Sequence, residues 1–537
     1  YHFDDLYISD DRVYSENHYY MGDLIIQSGK EVTFQNCIVY FEENSKVIIE
    51  PGAILNINNA TFTAPCSQTW HGIEVWGSSS DHQYTINGEC AQGQLELDGA
   101  TIEHAYNAVT LWEPENWNGT GGIIRAYNSS FKNNRRSVEF MSYQNTHPYS
   151  GAPVGNLSSF KECTFEANDG YLSSSAFAYH VSMWQVAGVK FKACNFSNSI
   201  TGSEKTGYGI YSMDAGYQVK SSCDEPIVPC PEIHILPSTF DGFYAGICAL
   251  NSESIYPIYV NESDFNDNSY GVSIKKSDYV QLIDNDITVG DNITDASECV
   301  EDFGVGIELI NCNGYAVEEN EFDDVAAMVG KSIGVLINYE VNYAQDIPAQ
   351  NNEVYKNQFD GLHIGCEALG INTVLGHEDE GLQFLCNEND NNDYDFYIKD
   401  VGIRLYQGTL DEPAGNQFSH MGNEFSDYNN QSELSILYFY DVDIASAEPE
   451  DYSEKVFPIS IDYENNCLSN YGGTNTIQTD GLGLSNSQLA YYEQEYNNNL
   501  TSYNGTLSLY ESLKDGGSTE TVVIEIESSW SNEMLEL

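Results

Sequence analysis

The chain has 537 residues, and 82 acidic against 20 basic side chains leave a formal charge of −62. A surface of that sign excludes nucleic acid as a partner, because phosphate binding needs a basic face, and it disfavours docking on anionic lipid. No stretch approaches the roughly 20 apolar residues that a membrane helix requires, so direct membrane insertion is not expected.

Residues 1–60 read as capping strands and first coils, in DLIIQ, EVTFQNCIVYF and SKVIIEPGAILNI, with the Pro51-Gly52 pair as a turn. From 61 to 480 a degenerate phrase returns. SSFKNNRRSVEF, STFDGFYAGICA, SDFNDNSYGVSI and NQFDGLHIGC each place an aromatic residue six positions before a second strand: Phe131 to Ser137, Phe240 to Gly246, Phe265 to Gly271, Phe359 to Gly365. Ile102 to Ala108 keeps the distance, and Phe62, Phe165, Phe196, Ile287 and Phe322 are further landmarks. A strand, a polar turn and a strand, recurring every 20 to 25 residues or so, predict one coil of a stacked solenoid. Leu is too sparse for a leucine-rich repeat, and hairpin turns are too few for a propeller. The expected fold is all-β, a right-handed parallel β-helix forming one elongated body, with Phe131, Phe165, Phe196, Phe240, Phe265, Phe322 and Phe359 inward. Asparagines ahead of the landmarks, in NNATF, YNSSF, ACNF and EENEF, are expected to stack as a ladder at the corners.

SCDEPIVPCPEIHILP (222–237) reads as a stapled loop, and ASAEPEDYSE (445–454) as a second loop. Residues 481–537 change character. Ser485 with Gln488 suggests a capping box, Leu489, Tyr492, Tyr496 and Leu500 follow helical spacing, and Gly516-Gly517 would close a second helix. This helical segment reads as cut from a longer chain. The opening YHFDDLYISDD lacks the basic and apolar regions of a signal peptide, so an exported chain is expected to start at a processed or trimmed end.

Thirteen cysteines are present, with no zinc-type spacing. Loop-closing pairs would be Cys66 with Cys90, Cys223 with Cys230 and Cys299 with Cys312. Cys163 and Cys194 each stand two residues before a landmark Phe, so a disulfide could span consecutive coils, and Cys366 could pair with Cys386 likewise. The alternative is buried thiols stacked in the interior. Disulfides imply an oxidising, extracytoplasmic location. The acidity suits calcium, which prefers oxygen ligands. The run NENDNNDYD offers Asp390, Asp393 and Asp395 as candidate ligands, without matching a known calcium loop.

GLQFLCNEN, VGIRLYQGT, EPAGNQFS and LYFYD (381–441), together with the opening IIEPGAILNINNATFTAPCSQTWHGIEVWG and the later LKDGGSTETVVIEIESSW, resemble the β-helix region of large Bacteroidetes cell-surface proteins exported by type IX secretion. The resemblance implies architecture and a secreted or cell-surface location, and implies no chemistry.

Parallel β-helices also host polysaccharide lyases and hydrolases. Arginine occurs only at 12, 125, 135, 136 and 404. Arg135 and Arg136 read as a surface pair beside Phe131, Arg404 as an outward strand residue, and Asp323-Asp324 lacks the His and basic partners of a hydrolase. With 39 Tyr, 23 Phe and 6 Trp, exposed aromatics could stack on sugars or anchor protein contacts. Trp112 and Trp117, in LWEPENWNG, are the candidates, against the alternative of a loop held down by its own tryptophans. The sequence therefore points to a structural or adhesive element whose partner is a cell-surface glycan or protein, or further copies of the chain. The alternatives are a polysaccharide lyase or glycoside hydrolase and a calcium-dependent glycan-binding module. No organic cofactor is implied.

Overall fold

The computed structural model describes residues 2–470, apart from positions 66, 87, 202–205, 225–229, 291–303, 325–331, 341–351, 375–379 and 464. The helical segment expected at 481–537 and the thiols of Cys66 and Cys299 lie outside the described residues. Two compact units are present, one of Tyr1–Asn195 with Asp214–Tyr217, the other of Phe196–Met213 with the described residues from Gln218 on.

Both units are built from coils of three short strands, each strand belonging to a different parallel sheet. In the first unit, Lys46–Ile49, Ile54–Asn58 and Thr61–Thr63 make one coil, and Gly72–Val75, Gln94–Asp98 and Thr101–Glu103 the next. The register puts Ile73 on Val47, Leu95 on Leu55 and Ile102 on Phe62. In the second unit Val272 lies on Ile247, Leu282 on Val260 and Ile287 on Phe265. This is a parallel β-helix. The coil has three strands where the repeat predicted two. The extra strand buries alternate apolar residues, as in Leu95 and Leu97 or Val189 and Phe191, but has no fixed landmark residue to betray it.

All seven landmark phenylalanines are buried, none more than 2% exposed. They stack on their equivalents one coil away, Phe131 on Phe165 at 4.8 Å, Phe196 on Phe240 at 4.6 Å and Phe322 on Phe359 at 4.9 Å. The glycine of the second strand has a steric origin. A Cβ on Gly306 would lie 2.8 Å from the Phe322 ring, and one on Gly334 would lie 2.7 Å from the Phe359 ring. The second strand carries glycine there because the ring of the next landmark along the chain occupies that space.

The corner between the second and third sheets turns on one left-handed residue. In the first unit this is Asn36, Asn59, Asn128, Glu162 and Ala193, and in the second Glu262, Asp284, Glu319, Lys356 and Cys386, all with φ between 45° and 58°. A single residue in that conformation redirects the chain without a loop. The next position points inward, and in the second unit it carries the asparagine ladder. Asn285, Asn320, Asn357, Asn387 and Asn416 pass amide hydrogen bonds from coil to coil, Nδ2 to Oδ1, at 2.7 to 3.1 Å. Each Nδ2 also serves a buried backbone carbonyl of the preceding coil, as Asn357 does for Val317 at 2.9 Å. Of the four asparagine motifs singled out in the sequence, only EENEF, through Asn320, supplies this column. Asn59 and Asn128 are the left-handed residues themselves, and Asn195 is an exposed strand residue. Replacing Asn357 by Ala strands buried partners on both sides and is expected to lower stability by about 2 kcal/mol, measured by urea unfolding.

In the first unit the same inward column holds Cys37, Ala60, Ser129, Cys163 and Cys194, and the structure corrects the pairing expected for the last two. Both are buried thiols. The two thiols hydrogen-bond to one another, and each Sγ also donates to carbonyls: Cys163 to Ala126 and Lys161, both at 3.4 Å, and Cys194 to Lys192 at 3.4 Å. Cys90 and Cys312 are likewise thiols, the latter donating to Ile274 and Ile310 at 3.5 Å. Cys223 does bond Cys230, with Cα atoms 5.9 Å apart. Cys366 is a buried thiol, because its expected partner Cys386 is bonded to Cys467, 81 residues on.

That second disulfide pins a strap across the corner of the second unit. Asn465 donates to Pro413 O at 2.8 Å, Leu468 O accepts from Tyr355 at 2.7 Å, Ser469 donates to Glu319 at 3.2 Å, and the Asn470 amide donates to Glu318 at 2.7 Å. The strap therefore runs back over earlier coils.

Candidate functional site: a tryptophan ledge

In the first unit Trp112, Trp117 and Trp184 come together. The Trp112 and Trp117 rings stack at 5.6 Å, and Trp184 meets Trp117 edge-on at 5.7 Å. Trp117 is 60% exposed, so the loop is not simply fastened down by its tryptophans. The loop itself is held. Trp112 bridges to Thr120 across its base, the Glu113 amide donates to Gly119 O at 3.0 Å, and Ser79 and Gly77 donate to Asn118 O and Gly119 O at 2.9 and 3.1 Å. An indole placed on a fixed turn presents its face at little entropic cost.

Trp184 was not singled out in the sequence, although a signal existed. AVTLW at 108–112 and HVSMW at 180–184 carry the same pattern. Register places Val109 on Val138 and Val138 on Val181, so both tryptophans leave the first sheet at corresponding points. Trp76 in GIEVW ends a strand in the same way, and its Nε1 donates to Glu74 at 3.0 Å. Glu74 also holds Lys46 at 2.9 Å and His71 at 3.4 Å. Burial pushes this carboxyl up, but the bonds from His71, Lys46 and Trp76 bring it below its ordinary value. His71 is thereby a structural partner of a buried ion pair.

The three aspartates considered for calcium do not converge. Asp390 is exposed on the third sheet. Asp393 pairs with His363 Nδ1 at 2.9 Å. Asp395 is fully buried, accepts from Ser419 N at 2.8 Å and Ser419 Oγ at 2.6 Å, and is pushed up to about 7 by burial. The three belong to different elements: Asp390 ends the third-sheet strand Glu388–Asp390, Asp393 is in the turn that follows, and Asp395 is in the first-sheet strand Tyr394–Ile398. Among the described residues no three His, Cys, Asp or Glu side chains are grouped to hold a metal ion.

A second cluster, also missed in the sequence, underlies the strap. Glu318 is 1% exposed and is raised to about 8, chiefly by burial and then, against the Asn470 hydrogen bond, by Glu319 and Glu353. Glu353 is raised to about 7 by burial, with Arg404 opposing. Arg404, read as an outward strand residue, donates to Gln383 Oε1 at 2.6 Å. The strap crosses this cluster, so the raised carboxyls belong to a covered surface.

No family model matches the sequence, and no curated protein matches it. Among solved structures the chain is similar to the periplasmic alginate epimerase AlgG, at 10% identity over 68% of this chain and 78% of that one, with a TM-score of 0.34. It is similar to a tailspike protein of bacteriophage CBA120, at 10% identity over 84% and 53%, TM-score 0.30. It is also similar to PfbA, a surface adhesin of Streptococcus pneumoniae, at 12% identity over 67% and 85%, TM-score 0.22. At this level of likeness no activity passes from them to this chain. Among the described residues no helix is long and apolar enough to cross a membrane.

Proposed function

We propose that this is the β-helix of a secreted, cell-surface protein of the Bacteroidetes type IX class, and that it acts adhesively by holding a saccharide on the ledge of Trp112, Trp117 and Trp184. The observation that carries the reading is Trp117, a 60% exposed indole that is nonetheless fixed by ring contacts on two sides. An exposed, preorganised aromatic face stacks on the C–H face of a sugar ring and costs solvation energy when left bare. The two disulfides support an oxidising location.

Trp117→Ala is expected to weaken saccharide binding about tenfold, the order of one aromatic contact, and to abolish the quenching of intrinsic fluorescence that binding produces in the parent. Unchanged affinity would remove the ledge from the site. Polysaccharide lyase or hydrolase action is the competing outcome. It is read from unsaturated-product absorbance and new reducing ends, and turnover there would replace adhesion as the function.

A further inference from the structure

The same face of the first unit carries a second, differently charged feature. Tyr179–Trp184 is one strand. Its last residue belongs to the ledge, and its first, Tyr179, lies about 16 Å of strand away. There Tyr179 pairs in register with Arg136, and Arg136 with Asn107. The Arg136 guanidinium lies 5.3 Å from the Tyr179 ring centre, and that of Arg135 lies 4.7 Å from the ring centre of Tyr106, which is itself 39% exposed. Between this end and the tryptophans runs a recessed polar row, Thr110, Glu139 and Ser182, paired across three coils.

The two arginines stand out against the charge of the chain. Arg12 and Arg125 are neutralised by carboxylates at 2.8 and 2.6 Å. Arg135 makes no ion pair among the described residues, and its Nε and Nη1, both buried, have no hydrogen-bond partner. Arg136 reaches Glu139 only at 3.9 Å, and its Nε is also unpartnered. Glu139 is the carboxylate of the row nearest them, since Glu74, paired with Thr110 one coil further, is held by Lys46 and His71. Burial raises Glu139 and Arg136 and Arg135 oppose that rise, so it offsets at most one of the two positive charges. In a chain of net charge −62, two adjacent guanidiniums without a close carboxylate, each laid on a tyrosine face, form a site for an anion carried on a molecule that can also stack.

We infer that the saccharide is an acidic one, laid across the first sheet from the tryptophan ledge to Arg135 and Arg136, with its carboxylate or sulfate groups taken by the two guanidiniums. This rests on the reading of the ledge as a saccharide site. Guanidinium binds either group in a bidentate manner, so the chemistry is shared and the experiment separates the sources.

The test is calorimetry of the purified chain with polygalacturonate, its carboxyl-reduced neutral counterpart, dextran sulfate and dextran. The expected result is binding of polygalacturonate or dextran sulfate, at least tenfold weaker for the neutral polymer of the same backbone, and weakening with added salt. Binding of polygalacturonate assigns a carboxylate; binding of dextran sulfate alone assigns a sulfate. Arg135→Gln with Arg136→Gln is expected to reduce acidic-polymer affinity at least tenfold with an unchanged melting temperature, whereas Trp117→Ala weakens every polymer that binds. Neutral polymers bound as tightly as acidic ones overturn the acidic assignment and leave the saccharide ledge standing. Binding of none of the four overturns both. The comparison of charged and reduced polymer uses the unaltered chain, so its result does not depend on how a variant folds.

Discussion

Phe240→Ala is expected to lower the unfolding free energy by about 4 kcal/mol, as for the loss of a fully buried core aromatic. The ring is fully buried and lies between Phe196 at 4.6 Å and Phe265 at 4.8 Å. It also fills the space over Gly209, where a Cβ would come within 2.6 Å of it. Both neighbours are fixed by parallel ladders, so the cavity cannot close by a shift of one strand without breaking register. Phe240→Leu keeps most of the volume and is expected to cost less than half as much. Urea unfolding followed by far-ultraviolet circular dichroism gives both values. Equal midpoints for Phe240→Ala and the parent would show that the aromatic stack contributes nothing to holding coils together.

Glu318→Gln is expected to stabilise the protein, and only above acid pH. In the folded chain the carboxyl is raised to about 8, because it is buried and because Glu319 and Glu353 oppose its ionisation. Unfolded, it ionises near the ordinary glutamate value of about 4.3. Below that value both states hold the proton and the group is neutral in its effect. As pH rises the unfolded state releases the proton first, so the parent loses stability progressively until the folded group ionises near 8. Glutamine keeps an oxygen for the Asn470 amide, now at 2.7 Å from Glu318 Oε1, and has no proton to lose. The variant should match the parent near pH 4 and exceed it by a few kcal/mol at about pH 8. Thermal melts at the two values decide it. A stabilisation that is the same at both would mean that Glu318 is not held protonated.

The repeat of aromatic residue and glycine is a local matter, and the sequence alone carries it. A ring that fills the coil interior needs a glycine beneath it, as Phe265 does over Gly246, where a Cβ would come within 2.9 Å of the ring, and the regular recurrence of landmark and glycine records that packing. From it follow the parallel coils, the buried landmarks and the solenoid class. Trp112 and Trp117 could be singled out because they stand five residues apart on a Gly- and Asn-rich turn, but the sequence left open whether they were exposed or held the loop down. Other features depend on which coil lies next to which, and no residue states that by itself. The third strand of each coil follows ordinary apolar alternation without a landmark. The asparagine ladder works only because Asn285, Asn320, Asn357, Asn387 and Asn416 fall in one column, with 29 to 37 residues between rungs. Cys163 and Cys194 do stand on neighbouring coils as their spacing implied and meet there as thiols, whereas Cys386 finds Cys467 through a strap that returns from 81 residues away. Trp184 joins the ledge, and Arg135 and Arg136 share its sheet face, for the same reason: coiling brings residues far apart in the chain to within one or two strand spacings, and the lengths of the intervening loops, which follow no rule in the sequence, decide which ones meet.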